Sequence, residues 1–178
     1  MAHIDTFKSW ADTLRQDIDA FKALLENDKA DIKARRLAGG ALQYLISKMD
    51  LIPDWNQGIG VIDDVMVLRV CSVLVQDYNR GSLPTAAETS LDRMVNQAEK
   101  ITEFLGGPLM DKLKVYCTKL AEQNVRGATP AQIIEDEAAR KSLYDAVKDE
   151  LEKTVPIVVN DPTDAELRLK AYLTHKLS

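Results

Sequence analysis

The chain has 178 residues, 46% apolar and 29% charged, which is enough to bury one substantial core. A formal net charge of −5 excludes the generally basic surface that neutralises phosphates, so no nucleic-acid partner is expected. The two cysteines, Cys71 and Cys117, lack zinc-ligand spacing and read as buried free thiols of a cytoplasmic protein.

Helical periodicity begins at once. Ile4, Phe7, Trp10, Leu14, Ile18, Phe21 and Leu25 recur at three- and four-residue steps and predict one amphipathic helix. The acidic N-terminus has no apolar leader, against secretion. Lys29, Lys33, Arg35 and Arg36 form the best basic cluster, read as a solvated helix face. A second helix starts near Asp31 and carries Leu37, Ala38, Ala41, Leu42, Leu45, Ile46 and Met49. It should end near Met49 or Asp50, because Pro53 disfavours helical backbone at Ile52. Within it, Gly39 and Gly40 cost about 1 kcal/mol each against alanine, which predicts the close approach of a neighbouring helix.

A third helix is predicted from about 61 to 80. It has hardly any polar face, which places it at the centre of a bundle. Its apolar segment, Val61 to Val75, is interrupted by Asp63, Asp64 and Arg69 and is too short and too charged to span a bilayer. A linker at 80–84 follows, and then Thr85 and Glu88 at capping-box spacing. Leu91, Met94, Val95, Ala98, Ile101 and Leu105 form the next stripe, stopped by Gly106 to Pro108. Leu109, Leu113, Tyr116, Cys117 and Leu120 mark another helix. Thr129, Pro130 and Gln132 supply an N-cap, a first-turn proline and a capping box. The stripe after them is Ile133, Ile134, Ala138, Tyr144, Val147 and Leu151. The strand-like run at 155–159 has no partner and is read as an extended connection. Asp161 or Thr163 caps a last helix. The expectation is an all-α single domain over 1–178, a bundle of about seven helices with mostly antiparallel neighbours.

One stretch stands apart. In "MDLIPDWNQGIGVIDDVMVL", residues 49–68, the only charges are four aspartates: Asp50, Asp54, Asp63 and Asp64. With the preceding "ALQYLISK", this resembles the YkvA-like family, the bacterial domain of unknown function 1232. The resemblance rests on Asp50-Leu51-Ile52-Pro53-Asp54, Gly60 and Asp63-Asp64, and covers roughly residues 36–75. It implies an apolar helix, a turn and a second apolar helix, a core at about 31–80 with a helical extension at about 84–178. No established activity comes with it. Lys48 stands where relatives often carry proline. The polar Trp55-Asn56-Gln57 loop replaces an apolar one, against a membrane role.

Carboxylates from a turn and a helix start could converge on Mg²⁺, Mn²⁺ or Ca²⁺. Each also has a structural use. Asp63 and Asp64 suit the first turn of a helix, favoured by the macrodipole at about 0.3–1 kcal/mol, and Asp50 and Asp54 suit a proline turn. No serine or histidine arrangement points to a catalytic residue; His3 and His175 lie near the termini, and Glu135, Asp136 and Glu137 read as a solvated face. The leading expectation is therefore a non-enzymatic interaction or scaffold module without a cofactor. Its Asp-rich turn is structural, and Trp55 is a candidate anchor for a protein partner or for self-association. The rivals are a metal-dependent, hydrolase-like enzyme using the four aspartates, and a membrane-peripheral factor.

Overall fold

A computed structural model describes residues 2–47, 51, 61–153 and 158–178. These residues form an all-α protein. Among them the sole β-type pairing is a single bridge between Val125 and Ala128. The count exceeds the expected seven helices because two predicted helices are each broken in two.

The first break lies in the N-terminal helix. It runs as α1 (His3–Ser9), a 3-10 turn (Trp10–Thr13) and α2 (Leu14–Glu26). At the break, the Thr13 hydroxyl lies 3.3 Å from the Trp10 carbonyl, a local contact of the kind that competes with the α-helical ladder. The apolar stripe survives the interruption: Ile4, Phe7, Trp10, Leu14, Ile18, Phe21 and Leu25 are all buried.

α3 (Ile32–Tyr44) is capped by Asp31, whose carboxylate accepts from the Lys33 amide at 2.8 Å. Its glycines do what the sequence suggested. A Cβ on Gly40 would sit 2.5 Å from the Leu120 carbonyl oxygen, and one on Gly39 would sit 3.2 Å from Pro130 Cβ. The helix stops at Tyr44, short of Met49. The amides of Leu45, Ile46 and Ser47 bond instead to carbonyls three residues back, a 3-10 tightening. The expected basic face is also divided. Lys29 and Lys33 are exposed, whereas Arg35 turns inward to donate to the Leu25 carbonyl at 2.8 Å.

α4 (Ile62–Val75) is buried on nearly every side and packs against α1, α3, α5 (Thr85–Leu105) and α6 (Gly107–Leu120). It ends before Arg80. Beyond it, Asn27 Nδ2 donates to the Arg80 carbonyl at 2.8 Å, tying the linker to the α2–α3 turn. The Thr85–Glu88 capping box does not form. Pro84 takes the cap position, and Glu88 pairs with Arg80 at 3.0 Å. The box at Thr129 and Gln132 does form, at the start of α7 (Pro130–Glu135).

The second break separates α7 from α8 (Glu137–Lys153). Asp136 adopts extended backbone there, and its carboxylate accepts from the Ala138 amide at 2.9 Å. Asp161 caps α9 (Pro162–Leu177), and Thr163 falls inside that helix. α9 buries Ala165, Leu169 and Leu173, lies against α1 and α6, and is tied to α1 where the Ile4 amide donates to Glu166 Oε1 at 3.0 Å. Val158 and Val159 are in no helix; the start of the expected extended connection lies outside the described residues. Among the described residues, no helix is long and apolar enough to cross a membrane.

Candidate functional site

Of the motif residues, Leu51, Asp63 and Asp64 are described; Asp50, Ile52, Pro53, Asp54, Trp55 and Gly60 lie outside the described residues. Asp63 and Asp64 occupy the first turn of α4, where the sequence placed them. There the exposed amides and the helix dipole favour negative charge.

Asp63 does more than complement the dipole. Its side chain is wholly buried, and Oδ2 accepts a short hydrogen bond from the hydroxyl of Tyr44, the last residue of α3. The same hydroxyl oxygen accepts from the Leu51 amide at 2.8 Å. One buried phenol therefore joins the end of α3, a residue of the motif pentapeptide and the start of α4. The Tyr116 ring from α6 stands edge-on to the Tyr44 ring, 6.3 Å between centroids. Burial first, then the charges of Asp63 and Asp64, push the Tyr44 hydroxyl well above the usual tyrosine range. It stays protonated and available as a donor.

A second clamp comes from a distant part of the chain. Val125 to Ala128 closes a tight turn with bonds of 2.9 and 3.2 Å between its end residues. Arg126 (φ 53°) and Gly127 (φ 88°) are both left-handed, as a type I′ turn requires. For arginine this conformation costs on the order of 1–3 kcal/mol and persists only where its surroundings impose it. Here two contacts to the end of α3 do so. Arg126 Nη2 donates to the Ile46 carbonyl at 3.2 Å, and Gln43 Nε2 donates to the Ala128 carbonyl at 2.9 Å. The guanidinium thus meets the carbonyl end of the helix that leads into the motif, where a cation is favoured.

The remaining buried charges lie further along α4. Arg69 is fully buried and pairs with the equally buried Asp17 of α2 at 3.3 Å; Arg93 of α5 holds the other oxygen of that carboxylate at 2.7 Å. Thr13 donates to Asp17 Oδ2 at 3.0 Å, Gln97 accepts from Arg69 Nε at 2.9 Å, and the Val65 carbonyl accepts from Nη1 at 3.0 Å. The guanidinium also lies over the Trp10 ring, 4.5 Å from its centroid. Burial lowers the Arg69 pKa to about 10 despite the opposing pull of Asp17. This network fastens α2, α4 and α5 together.

As for metal chemistry, no three histidine, cysteine, aspartate or glutamate side chains among the described residues are placed to hold an ion. Asp50 and Asp54, half of the ligand set considered from the sequence, lie outside those residues. His3 contacts Glu103 at 3.7 Å and His175 is exposed on α9. The sequence reading missed Tyr44, Arg126 and the Asp17–Arg69–Arg93 network. A signal existed for the last alone: Asp17 and Arg69 interrupt apolar stripes, where an ion must be paired.

Residues 34–69 match the family described as a protein of unknown function, DUF1232. The matched segment takes in most of α3, the motif and the first half of α4, in agreement with the YkvA-like resemblance. No curated protein and no solved structure matches the chain.

Proposed function

We propose that this chain is a non-enzymatic interaction module that docks a protein partner through Trp55, in the motif segment between α3 and α4. The observation that carries this reading is the three-way bond at Tyr44. Its hydroxyl consumes Asp63 Oδ2 and the Leu51 amide in a water-excluded junction, and Arg126 pins the chain at Ile46. Buried, hydrogen-bonded polar groups of this kind favour one arrangement of the backbone around them. Fixing the helices that flank a binding segment lowers the entropy cost of binding through it, and tryptophan is among the residues most enriched at binding hot spots.

The test is site-specific photo-cross-linking in the native cell. A photoreactive side chain replaces Trp55 in one variant and the exposed Glu99 of α5 in a control. The reading expects a discrete protein adduct, to a partner or a second copy, from position 55 and none from position 99. Equal labelling from both positions would overturn it. So would divalent-metal-dependent turnover that is lost in Asp63→Asn and Asp64→Asn, which would assign the aspartates to catalysis.

A further inference from the structure

The turn from Val125 to Ala128 carries more cost than a connection between two helices needs. Arg126, exposed at its tip, is the sole non-glycine residue among those described with a left-handed backbone. Gln43, which holds the Ala128 carbonyl through Nε2, is 2% exposed, and among the described residues no donor reaches its Oε1. A buried acceptor in that condition is unfavourable. A third cost lies on α3 itself. Its apolar stripe continues through Leu45 and Ile46, yet the amides of Leu45, Ile46 and Ser47 bond three residues back instead of four, with poorer geometry. All three costs meet where Arg126 holds the Ile46 carbonyl.

On either side of the tip the segment is fixed to α3. Gly40 admits the Leu120 carbonyl against the helix, and Pro130, next to the capping Thr129, lies against Gly39. The tip alone can move without unpacking a helix.

We propose that this turn is a conformational latch on the end of α3. In the closed state, that of the structure, Arg126 and Gln43 bind turn and helix end together. In the open state both bonds are released. Arg126 relaxes to negative φ, water reaches Gln43 Oε1, and the amides of Leu45, Ile46 and Ser47 move to the carbonyls of Ala41, Leu42 and Gln43. That completes the α-helical turn which the apolar spacing predicts. The closed state gains two hydrogen bonds and a cation at the carbonyl end of the helix; the open state sheds the strain and regains α-helical bonding. Because these terms oppose one another, the open state is a minor population, about 0.1–10% as is usual for two-state elements. The latch stands whether or not Trp55 docks a partner, and it sets the form of the helix end that leads into the motif.

The experiment is chemical-exchange saturation transfer NMR at backbone nitrogen and carbon nuclei of the folded full-length chain. Val125 to Ala128 and Leu45 to Ser47 should show a minor state with one shared exchange rate. In it the Cα shifts of Leu45, Ile46 and Ser47 should be α-helical, and that of Arg126 no longer left-handed. Arg126→Gly removes the clasp and the left-handed cost together. The turn should then cease to exchange, while the ground-state shifts of Leu45 to Ser47 move to the minor-state values of the parent. Absence of a minor state, different rates at the two segments, or random-coil minor-state shifts at Leu45 to Ser47 would each overturn the proposal. So would unchanged shifts there in Arg126→Gly. Should that variant fail to fold, the profiles of the unaltered chain decide.

Discussion

Tyr44→Phe removes a single oxygen, yet at this junction it breaks bonds to two partners. The first is the donation to the buried Asp63 carboxylate, a class of bond worth about 1.5–3 kcal/mol. The second is acceptance from the Leu51 amide; leaving a buried amide without a partner costs about 1–3 kcal/mol. The two losses share one atom and relax together, so a net destabilisation of about 3 kcal/mol is expected. For a chain of this length that corresponds to a fall in Tm of about 6–12 °C. Urea unfolding is the assay, and an unchanged m value would show that the folded and unfolded states are otherwise comparable. A double-mutant cycle with Asp63→Asn should give a coupling on the order of 1–2 kcal/mol. A loss below about 1 kcal/mol, or simple additivity with Asp63→Asn, would refute the reasoning, because the phenol would then not be the junction's fastening.

Other consequences follow from the same geometry. Arg69→Met leaves Asp17 buried with one of its two guanidinium partners gone and should cost about 3–5 kcal/mol in urea unfolding, whereas Lys141→Met at the exposed Lys141–Asp145 pair should change stability by less than about 0.5 kcal/mol. Gly40→Ala drives a Cβ into the Leu120 backbone and should cost more than about 2 kcal/mol despite the gain in helix propensity; Gly39→Ala meets the Pro130 ring at 3.2 Å and should stay within about 1 kcal/mol of the parent. Above pH 10 the unfolded Tyr44 ionises while the folded one does not, so the unfolded chain sheds its proton first and stability falls as pH rises. Arg69 acts in the opposite sense between about 10 and 12.5, since its folded pKa is the lower one. Alkaline unfolding followed by phenolate absorbance should therefore lose part of its pH dependence in Tyr44→Phe.

The helices and their punctuation were legible because they follow from local rules. Apolar spacing located α2, α3, α5, α6 and the span of α7 and α8, a nearly unbroken apolar run marked α4, and Thr129 and Asp161 cap as their positions suggest. The "AGGA" stretch announced a close contact without naming Leu120 as the partner. Where the reading failed, a contact from elsewhere in the chain had won. Glu88 has capping-box spacing to Thr85, but Arg80 claims its carboxylate. A continuous stripe from Ile133 to Leu151 gave no warning of the break at Asp136, since one extended residue leaves the periodicity nearly intact.

The candidate site was legible in half. Asp63 and Asp64 stand at a helix start, as their position before an apolar run implied. That Asp63 faces inward to Tyr44 could not be read, because a tyrosine 19 residues earlier carries no local mark of its partner. The puzzle of four acids with no cation near them in sequence has a partial answer of the same kind. Asp63 is met by a neutral donor, the Tyr44 hydroxyl, and Arg126, 80 residues beyond Ile46, donates to the Ile46 carbonyl just before the segment.

The most direct test of the account is hydrogen exchange at one amide. Leu51 belongs to the motif pentapeptide, and its N–H ends on the buried Tyr44 hydroxyl. The account predicts that this amide exchanges slowly in the folded chain and becomes fast in Tyr44→Phe under conditions where that variant remains folded. Fast exchange of the Leu51 amide in the unaltered chain would contradict it, for Leu51 would then not be held by the Tyr44 hydroxyl.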